Sequence, residues 1–306
     1  MNQLVIPDPL FTEATASEAF EAGRWRADLA LQFERTERGC RLARNHHQGP
    51  LYVQKPFFPE GRDLAHVYLL HPPGGLVSGD RLEVRVEVKK DARALVTTTG
   101  AGRVYRARSD GLLQSQNTFL RVEAGASLEW LPLENIAYPD ANGAMVTRVD
   151  LARNSHFAGW EVTSLGLPAC DATFGNGRLW QRLEIFREGI PLLIESLRLS
   201  GQLHDNSDSA DDVLSSRAGL QGYPVNGLLV MGPFAPQEPV REACREIIAE
   251  HAQHCLAGIS LVSEMIVVRA LGRCAFEVRA LLTELWELLR PELVGRAACA
   301  PRIWRT

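Results

Sequence analysis

RLEVRVEV, at Arg81–Val88, alternates strictly between charged and apolar residues. Leucine and valine occupy every second position, which is the period of a β-strand with one buried and one solvated face. Two lysines and an aspartate at 89–91 then predict a turn, and residues 94–99 return to apolar and β-branched types. The basic unit is therefore a strand, a charged turn and a second strand.

The same strand–turn–strand pattern recurs three more times along the chain. With Asp91, Gly125, Ser155 and Gly189 as turn markers, successive turns are 34, 30 and 34 residues apart. This spacing predicts a mainly β fold with a stacked, helix-like arrangement of strands. A solenoid-like layering and an ordinary two-sheet sandwich are both compatible with it.

The flanking segments suggest the domain organisation. Residues 1–23 lack any period and are expected to form a loosely ordered leader to a β-rich scaffold at 24–201. Residues 202–224 are rich in aspartate and serine and predict a loop. Residues 225–306 predict a βαβα unit packed on the scaffold, with strands at 227–231 and 259–271 and helices at 239–256 and 275–289. Pro291 is expected to end the last helix.

Composition argues against several functional classes. The 306 residues carry a formal charge of −4 and no long basic tract, so no nucleic-acid partner is expected. The longest apolar stretch is far shorter than the roughly 20 residues that cross a bilayer, so no membrane span is expected. The N-terminus lacks a secretory signal, and the six cysteines form no C-x-x-C pair. We therefore expect a cytoplasmic protein with reduced thiols and with no structural zinc or iron–sulfur site.

The densest motif is HPPGGLVSGD at 71–80. Its prolines and glycines favour a turn that caps the sheet, and a sharper alternative places His71 and Asp80 at the mouth of a cavity. Acidic residues also lie within or next to apolar strands: Glu129, Glu134, Glu161 and Glu195. Strand alternation explains each of them singly as solvent-facing. If some point inward instead, a hydrated row of carboxylates could pass a divalent cation.

Other candidate ligands are weaker. His251, His254 and Cys255 have helical spacing for a metal site, but His251 and Cys255 continue an apolar stripe, which favours a core position. His46 and His47 precede a predicted turn and are typical of local hydrogen bonding. No recognisable nucleophile elbow or metalloprotease motif is present, so no enzyme activity is expected. Paired acids for sugar chemistry keep one enzyme alternative open.

Several blocks, in order and from about residue 25 to 304, together resemble the UreD family of urease accessory proteins, called UreH in some species. The blocks are GPLYVQKPFFPEG (49–61), HPPGGLVSGD (71–80), GAGRVYR (100–106), LEWLP (128–132), GWE (159–161) and PRIW (301–304). The resemblance implies a non-catalytic scaffold that binds apo-urease and recruits UreF-like and UreG-like partners for nickel insertion. It also implies a stack of strands with two helices.

The resemblance further implies that nickel passes transiently through an internal water-filled channel, with no tightly bound cofactor and no tight metal site. The channel candidates are Asp80, Glu161, Glu195, His71 and Glu134. The candidates for partner docking are Arg103, Tyr105 and Arg106.

This chain departs from the family pattern at Leu167, Ala172 and Ser196, so roles of the usual arginine and glutamate side chains there are not carried over. Arg103 stands where the family usually has lysine. The alternatives to this function are a carbohydrate-active β-solenoid enzyme, disfavoured because such enzymes usually require export, and a pure structural adaptor without an ion path.

Overall fold

The protein is built from two β-sheets that pack face to face. The computed structural model describes residues 24–201, 213–234 and 236–305. With strands numbered in chain order, sheet 1 consists of β1 (Arg26–Thr36), β2 (Gly39–Gln48), β5 (Arg81–Val88), β8 (Gln114–Val122), β11 (Asn142–Leu151), β13 (Arg178–Arg187) and β14 (Ile190–Ser200). Sheet 2 consists of β3 (Tyr52–Val53), β4 (Ala65–Leu70), β6 (Arg93–Thr98), β7 (Gly102–Val104), β9 (Ser127–Trp130), β10 (Asn135–Ala137), β12 (His156–Leu165), β15 (Val225–Gly232), β16 (Cys255–Val262) and β17 (Met265–Gly272).

The chain alternates between the two sheets, which confirms the mainly β, stacked arrangement. Strands β4, β6, β9 and β12 are parallel neighbours in sheet 2, and β1, β5, β8, β11 and β13 are parallel neighbours in sheet 1. Each coil thus adds one strand to each sheet, as in a solenoid. Antiparallel strands complete the ends, with β2 and β14 at the edges of sheet 1 and β15 to β17 at one end of sheet 2.

The predicted turns explain how the coils close. Left-handed backbone occurs at Asp91 (φ 58°), Gly125 (φ 69°) and Asn154 (φ 56°), where the chain leaves one sheet for the other. The third turn residue is therefore Asn154, one residue before the predicted Ser155. The fourth, Gly189 (φ 81°), closes an antiparallel hairpin of β13 and β14 within sheet 1. The fourth repeat is thus a hairpin and not another coil.

The C-terminal part has the two predicted helices, α1 (Glu238–Glu250) and α2 (Ala275–Val294), but its order is βαββα. The single strand predicted at 259–271 is wrong, because a turn with Ser263 at φ 54° divides this region into β16 and β17. Pro291 lies inside α2 and does not end it. Leu293 and Val294 remain buried beyond the proline, and Gly295 ends the helix at φ 68°.

Helix α1 is also shorter than predicted. It ends at Glu250, and the chain turns through 251–254 into β16. In the described part of the chain, neither helix is both long and apolar enough to cross a bilayer. The predicted leader at 1–23 lies outside the described residues, as does the 202–212 part of the predicted loop, while 213–224 consists mainly of turns.

Two apolar layers share sheet 2. One layer fills the space between the sheets, and the other lies between sheet 2 and the helices. Strand alternation on β12 sends Trp160 and Val162 into the helical layer and Phe157 into the inter-sheet layer. Glu161, which lies between Trp160 and Val162, therefore points between the sheets.

Candidate functional site: a polar cavity between the sheets

A cavity of about 200 Å³ lies between the two sheets. Sheet 1 lines it with residues of β5, β8, β11 and β13, and sheet 2 lines it with residues of β4, β6, β7, β9 and β12. The loops at 71–75 and 99–101 also line the cavity, and the lining residues Thr99 and Gly100 are exposed, so the cavity opens to solvent beside them. It thus extends across several coils of the stack.

Glu161 supplies the one carboxylate among the described lining residues. The hydroxyl of Thr147 on β11 donates a hydrogen bond to Glu161 Oε1 at 2.9 Å. Burial raises the pKa of Glu161 to about 7, and the Thr147 hydrogen bond only partly opposes this shift. Near neutral pH the side chain is therefore present in both protonated and ionised forms, and a cation can displace its proton.

Gln181 extends the polar lining from the opposite sheet. Its Nε2 donates to Thr163 Oγ1 at 2.7 Å, while its Oε1 is buried without a hydrogen-bond partner among the described residues. Carboxylate, hydroxyl and amide oxygens are weak ligands suited to a hydrated divalent cation. Within the described ranges, no three His, Cys, Asp or Glu side chains come together as a metal-binding group.

The HPPGGLVSGD motif forms a tight turn at the cavity opening. Gly74 (φ 76°) and Gly79 (φ 89°) have left-handed backbone, and a side chain at Gly75 would clash with Arg103 and Tyr105. His71 lines the cavity, and burial lowers its pKa although Asp80 acts in the opposite direction. The imidazole is therefore mainly neutral at pH 7.

Asp80 is buried behind this turn, and backbone amides donate hydrogen bonds to both of its carboxylate oxygens. Its Oδ1 accepts a hydrogen bond from the Trp25 amide at 3.0 Å, and its Oδ2 accepts one from the Val77 amide at 2.9 Å. The carboxylate thus fixes the turn against the start of β1. It does not line the cavity.

The other two acidic candidates lie elsewhere. Glu195 on β14 faces inward at the end of sheet 1 and forms an ion pair with Arg269 on β17. Glu134 lies 3.7 Å from the guanidinium of Arg279 on α2. The structure therefore brings His71 and Glu161 to one cavity but places Asp80, Glu134 and Glu195 outside it.

The three docking candidates have different environments. Arg103 lines the cavity and donates to the Gly74 carbonyl at 3.3 Å. Tyr105 packs against Tyr138 with ring centroids 5.0 Å apart, and Arg106 is exposed and pairs with Asp140 at 2.6 Å.

The weaker ligand candidates are separated or paired. His251 contacts Glu284 at 3.1 Å and His254 contacts Glu277 at 2.9 Å, whereas Cys255 begins β16. They do not share a helix face, because α1 ends before them. His46 and His47 belong to β2, opposite β1.

A buried ion network was not predicted. Arg290 on α2 makes hydrogen bonds of 2.9–3.1 Å to Glu129 and of 2.7–2.8 Å to Glu60, and Glu60 contacts His66 at 2.8 Å. Trp286 Nε1 also donates to Glu129 at 2.8 Å. Two features of the sequence could have indicated this network: Glu129 lies within an apolar strand, and Arg290 lies on an apolar helix face. This network fastens α2 to sheet 2.

Three tryptophans bring several of the quoted sequence blocks together in the helical layer. Trp160 lies 5.2 Å from Trp304 and 6.3 Å from Trp286 between ring centroids. Trp160 Nε1 donates to the Pro132 carbonyl at 2.6 Å, and Trp304 Nε1 donates to Thr97 Oγ1 at 2.9 Å. The GWE, LEWLP and PRIW blocks thus build one packing unit.

The positions that depart from the family pattern have local roles. Leu167 and Ala172 pair through their backbones at 2.8 and 3.2 Å. Ser196 Oγ accepts a hydrogen bond from Trp180 Nε1 at 3.2 Å.

Two stacked sheets with a helical cover define a layered β protein with an internal polar space, in which Glu161 is the one carboxylate among the described lining residues. Residues 25–305 match the family model described as UreD urease accessory protein. The chain therefore belongs to the UreD family of urease accessory proteins.

Individual relatives support this assignment over most of the chain. A protein of Marinomonas sp. (strain MWYL1) named urease accessory protein UreD is 44% identical over 291 residues, covering 93% of this chain and 91% of the relative. One from Alcanivorax borkumensis with the same name is 39% identical, covering 92% of each chain. A Brucella anthropi protein named urease accessory protein UreD 2 is 39% identical, covering 92% of this chain and 98% of its own.

Proposed function

We propose that this protein is a non-catalytic scaffold for urease maturation that binds apo-urease and recruits UreF-like and UreG-like partners. Nickel would pass through the cavity between the sheets as cargo and would not remain bound. Membership of the UreD family supports the role in urease maturation.

Glu161 is the observation that supports an ion passage. A relay requires sites that bind an ion strongly enough for entry and weakly enough for release. One carboxylate with a pKa near 7 that accepts a hydrogen bond from a hydroxyl shares its cavity with an amide oxygen that has no hydrogen-bond partner among the described residues, and this arrangement offers such a shallow site. A tight nickel site would instead need several imidazole or thiolate ligands.

The same geometry disfavours the carbohydrate-active alternative. Glycoside hydrolysis uses two carboxyl groups on opposite sides of the scissile bond. Glu161 has no second carboxylate beside it among the described lining residues. We therefore expect the purified protein to hydrolyse neither urea nor glycans.

The relay is tested by comparing carboxylates inside and outside the cavity. The protein would be co-expressed with apo-urease and the other accessory proteins, and urease activity, nickel content and complex assembly on a sizing column would be measured. Glu161→Gln should lower activity and nickel content several-fold while assembly persists. The matched control Glu195→Gln alters a carboxylate outside the cavity and should leave nickel transfer unchanged.

Two outcomes would contradict the relay. If assembly falls in parallel with activation, Glu161 serves folding or docking. If Glu161→Gln and Glu161→Ala both assemble and activate urease normally, the protein is an adaptor without a carboxylate relay.

A further inference from the structure

The outward face of sheet 1 has no covering layer. Sheet 2 is covered on one face by sheet 1 and on the other by the helices. On sheet 1, in contrast, inward positions such as Val84 and Val86 are buried, whereas the alternating outward positions Arg81 and Arg85 are exposed. Across the described residues, this is the large sheet face that remains available to another molecule.

The face is rich in arginine although the chain as a whole has a formal charge of −4. Where β1, β5, β8, β11, β13 and β14 pair, the outward arginines are Arg26, Arg81, Arg85, Arg121, Arg148, Arg178, Arg182 and Arg198. The outward carboxylates over the same region are Asp28, Glu83, Glu87, Asp150 and Glu184.

The two signs are distributed unevenly along the strands. Four arginines pair with a carboxylate two residues away on their own strand: Arg26 with Asp28, Arg85 with Glu83, Arg148 with Asp150, and Arg182 with Glu184. Arg81 and Arg178, at the first residues of β5 and β13, are exposed and form no ion pair with any residue that the structure describes. One row of residues pairs across five neighbouring strands and contains no carboxylate: Arg26, Arg81, Ser115, Ala144 and Trp180.

Aromatic side chains on this face carry stacked guanidinium groups. Arg85 lies 5.6 Å from the ring centroid of Phe119, and Arg148 lies 4.5 Å from that of Phe186. Phe119 is 39% exposed. Arginine and aromatic residues are enriched in the centres of protein interfaces, where stacking holds the arginine fork in place.

The face has the area of a protein interface. Six strands about 4.8 Å apart and eight residues of about 3.3 Å each give roughly 600 Å². One partner in a standard interface contributes about 800 Å². The interspersed carboxylates would repel a continuous phosphate backbone or an anionic lipid surface, whereas a folded protein can match both signs.

The arginine-rich end also adjoins the cavity opening. His71 and Gly74 to Leu76 line the cavity, the same loop continues to Arg81, and Arg103 also lines the cavity. These cationic groups oppose the approach of a divalent cation. A carboxylate-bearing surface docked here would neutralise them next to the passage.

We propose that the outward face of sheet 1 docks a carboxylate-bearing surface of apo-urease, with Arg81 and Arg178 as its electrostatic contacts. This inference rests on the proposed function, because it names the surface used by the proposed partner. Docking at this end couples complex formation to neutralisation of the cavity opening.

The test measures association of the full-length protein with immobilised apo-urease at several salt concentrations. The double variant Arg81→Glu/Arg178→Glu should associate at least tenfold more slowly than wild type at low salt, with a weaker salt dependence. Arg81→Lys/Arg178→Lys should largely retain the rate. The matched control Arg241→Glu/Arg245→Glu makes the same charge change on the exposed surface of α1 and should bind like wild type.

Far-UV circular dichroism would establish that the variants fold. If the glutamate pair does not fold, the single variants Arg81→Glu and Arg178→Glu carry the test, because each should still slow association and an unchanged rate in both would overturn the inference. Wild-type binding that the glutamate pair leaves unchanged would overturn the inference while leaving the proposed function intact. No wild-type binding would overturn both. The same variants would be tested for binding to RNA, to phosphatidylserine vesicles and to a second copy of the chain. If the wild-type protein binds one of these and the glutamate pair does not, while both bind apo-urease equally, the inference is also overturned.

Discussion

Glu161 illustrates how strand alternation places one acidic residue in an apolar layer. Its neighbours Trp160 and Val162 are buried against the helices, so the period of two forces Glu161 to the opposite face of β12. The sequence predicted acidic residues inside strands, but spacing alone did not distinguish Glu161 from Glu195, which pairs with Arg269. That distinction depends on which strands face each other across the two sheets.

The raised pKa of Glu161 predicts a pH-dependent stability difference. The folded state holds the proton up to a pKa of about 7, whereas the ordinary value is 4.5, so stability falls as pH rises through this interval. Glu161→Gln should therefore match wild type near pH 4.5 and become more stable towards pH 8, by at most about 3 kcal/mol. Urea unfolding at a series of pH values measures the difference. The Glu195→Gln variant controls for the loss of a carboxylate. If both variants gain stability equally as pH rises, the pH dependence does not come from Glu161.

Arg290 predicts a larger effect because its partners are also buried. Arg290→Gln leaves Glu60 and Glu129 without their cation, which should cost about 3–5 kcal/mol at neutral pH. Burial alone would raise the pKa of Glu60, but hydrogen bonds from His66 and Arg290 lower it to about 2. Wild type therefore loses this stabilisation as pH falls from 4.5 towards 2, and the difference from the variant should narrow there.

Chemical unfolding between pH 3 and pH 8 would measure this narrowing. The exposed Arg245→Gln variant is the control, since its partners Glu238 and Glu242 are solvated and its expected effect is below about 1 kcal/mol. A destabilisation by Arg290→Gln no larger than that of the control would contradict the role of the network.

At the level of elements, local patterns identified the strands of the coils better than the C-terminal hairpin. The alternation at Arg81–Val88 and the turn at Asp91 both match the structure. The turn between β16 and β17 has Ser263 and Glu264 instead of glycine, asparagine or proline, so the residues predicted one continuous strand. Pro291 likewise indicated a helix end, but burial of Leu293 extends α2 past it.

The hairpin turn therefore contains backbone strain that a substitution can relieve. Ser263 has φ 54°, a conformation that disfavours side chains with a Cβ. Ser263→Gly should raise the free energy of unfolding by roughly 0.5–1 kcal/mol, while Ser263→Val should lower it. Thermal unfolding of the two variants beside wild type measures the effect. Equal stabilities for glycine and valine would show that this turn does not constrain the hairpin.

At the scale of the whole molecule, sheet 2 connects the two apolar layers. The inter-sheet layer contains Val230 and Val267 from β15 and β17, and the helical layer contains Leu229 and Val268 from the same strands. Because the two layers lie on opposite faces of sheet 2, unfolding of this sheet would expose both layers to water. The sequence predicted a separate C-terminal unit packed on the scaffold, but the sharing of strands depends on long-range pairing of β12 with β15.

This shared sheet predicts that both layers unfold in one transition. Leu31→Ala in the inter-sheet layer and Leu285→Ala in the helical layer each remove a side chain that is at most 2% exposed, so each should cost about 2–5 kcal/mol. Three of the six tryptophans, Trp160, Trp286 and Trp304, contact one another in the helical layer, so tryptophan fluorescence gives this layer more weight than far-UV circular dichroism, which reports on strands of both sheets. The urea midpoints from the two probes should coincide and shift together in both variants. If Leu285→Ala instead lowers the fluorescence midpoint and leaves the dichroism of the strands in place, the helical layer unfolds separately and sheet 2 does not couple the layers.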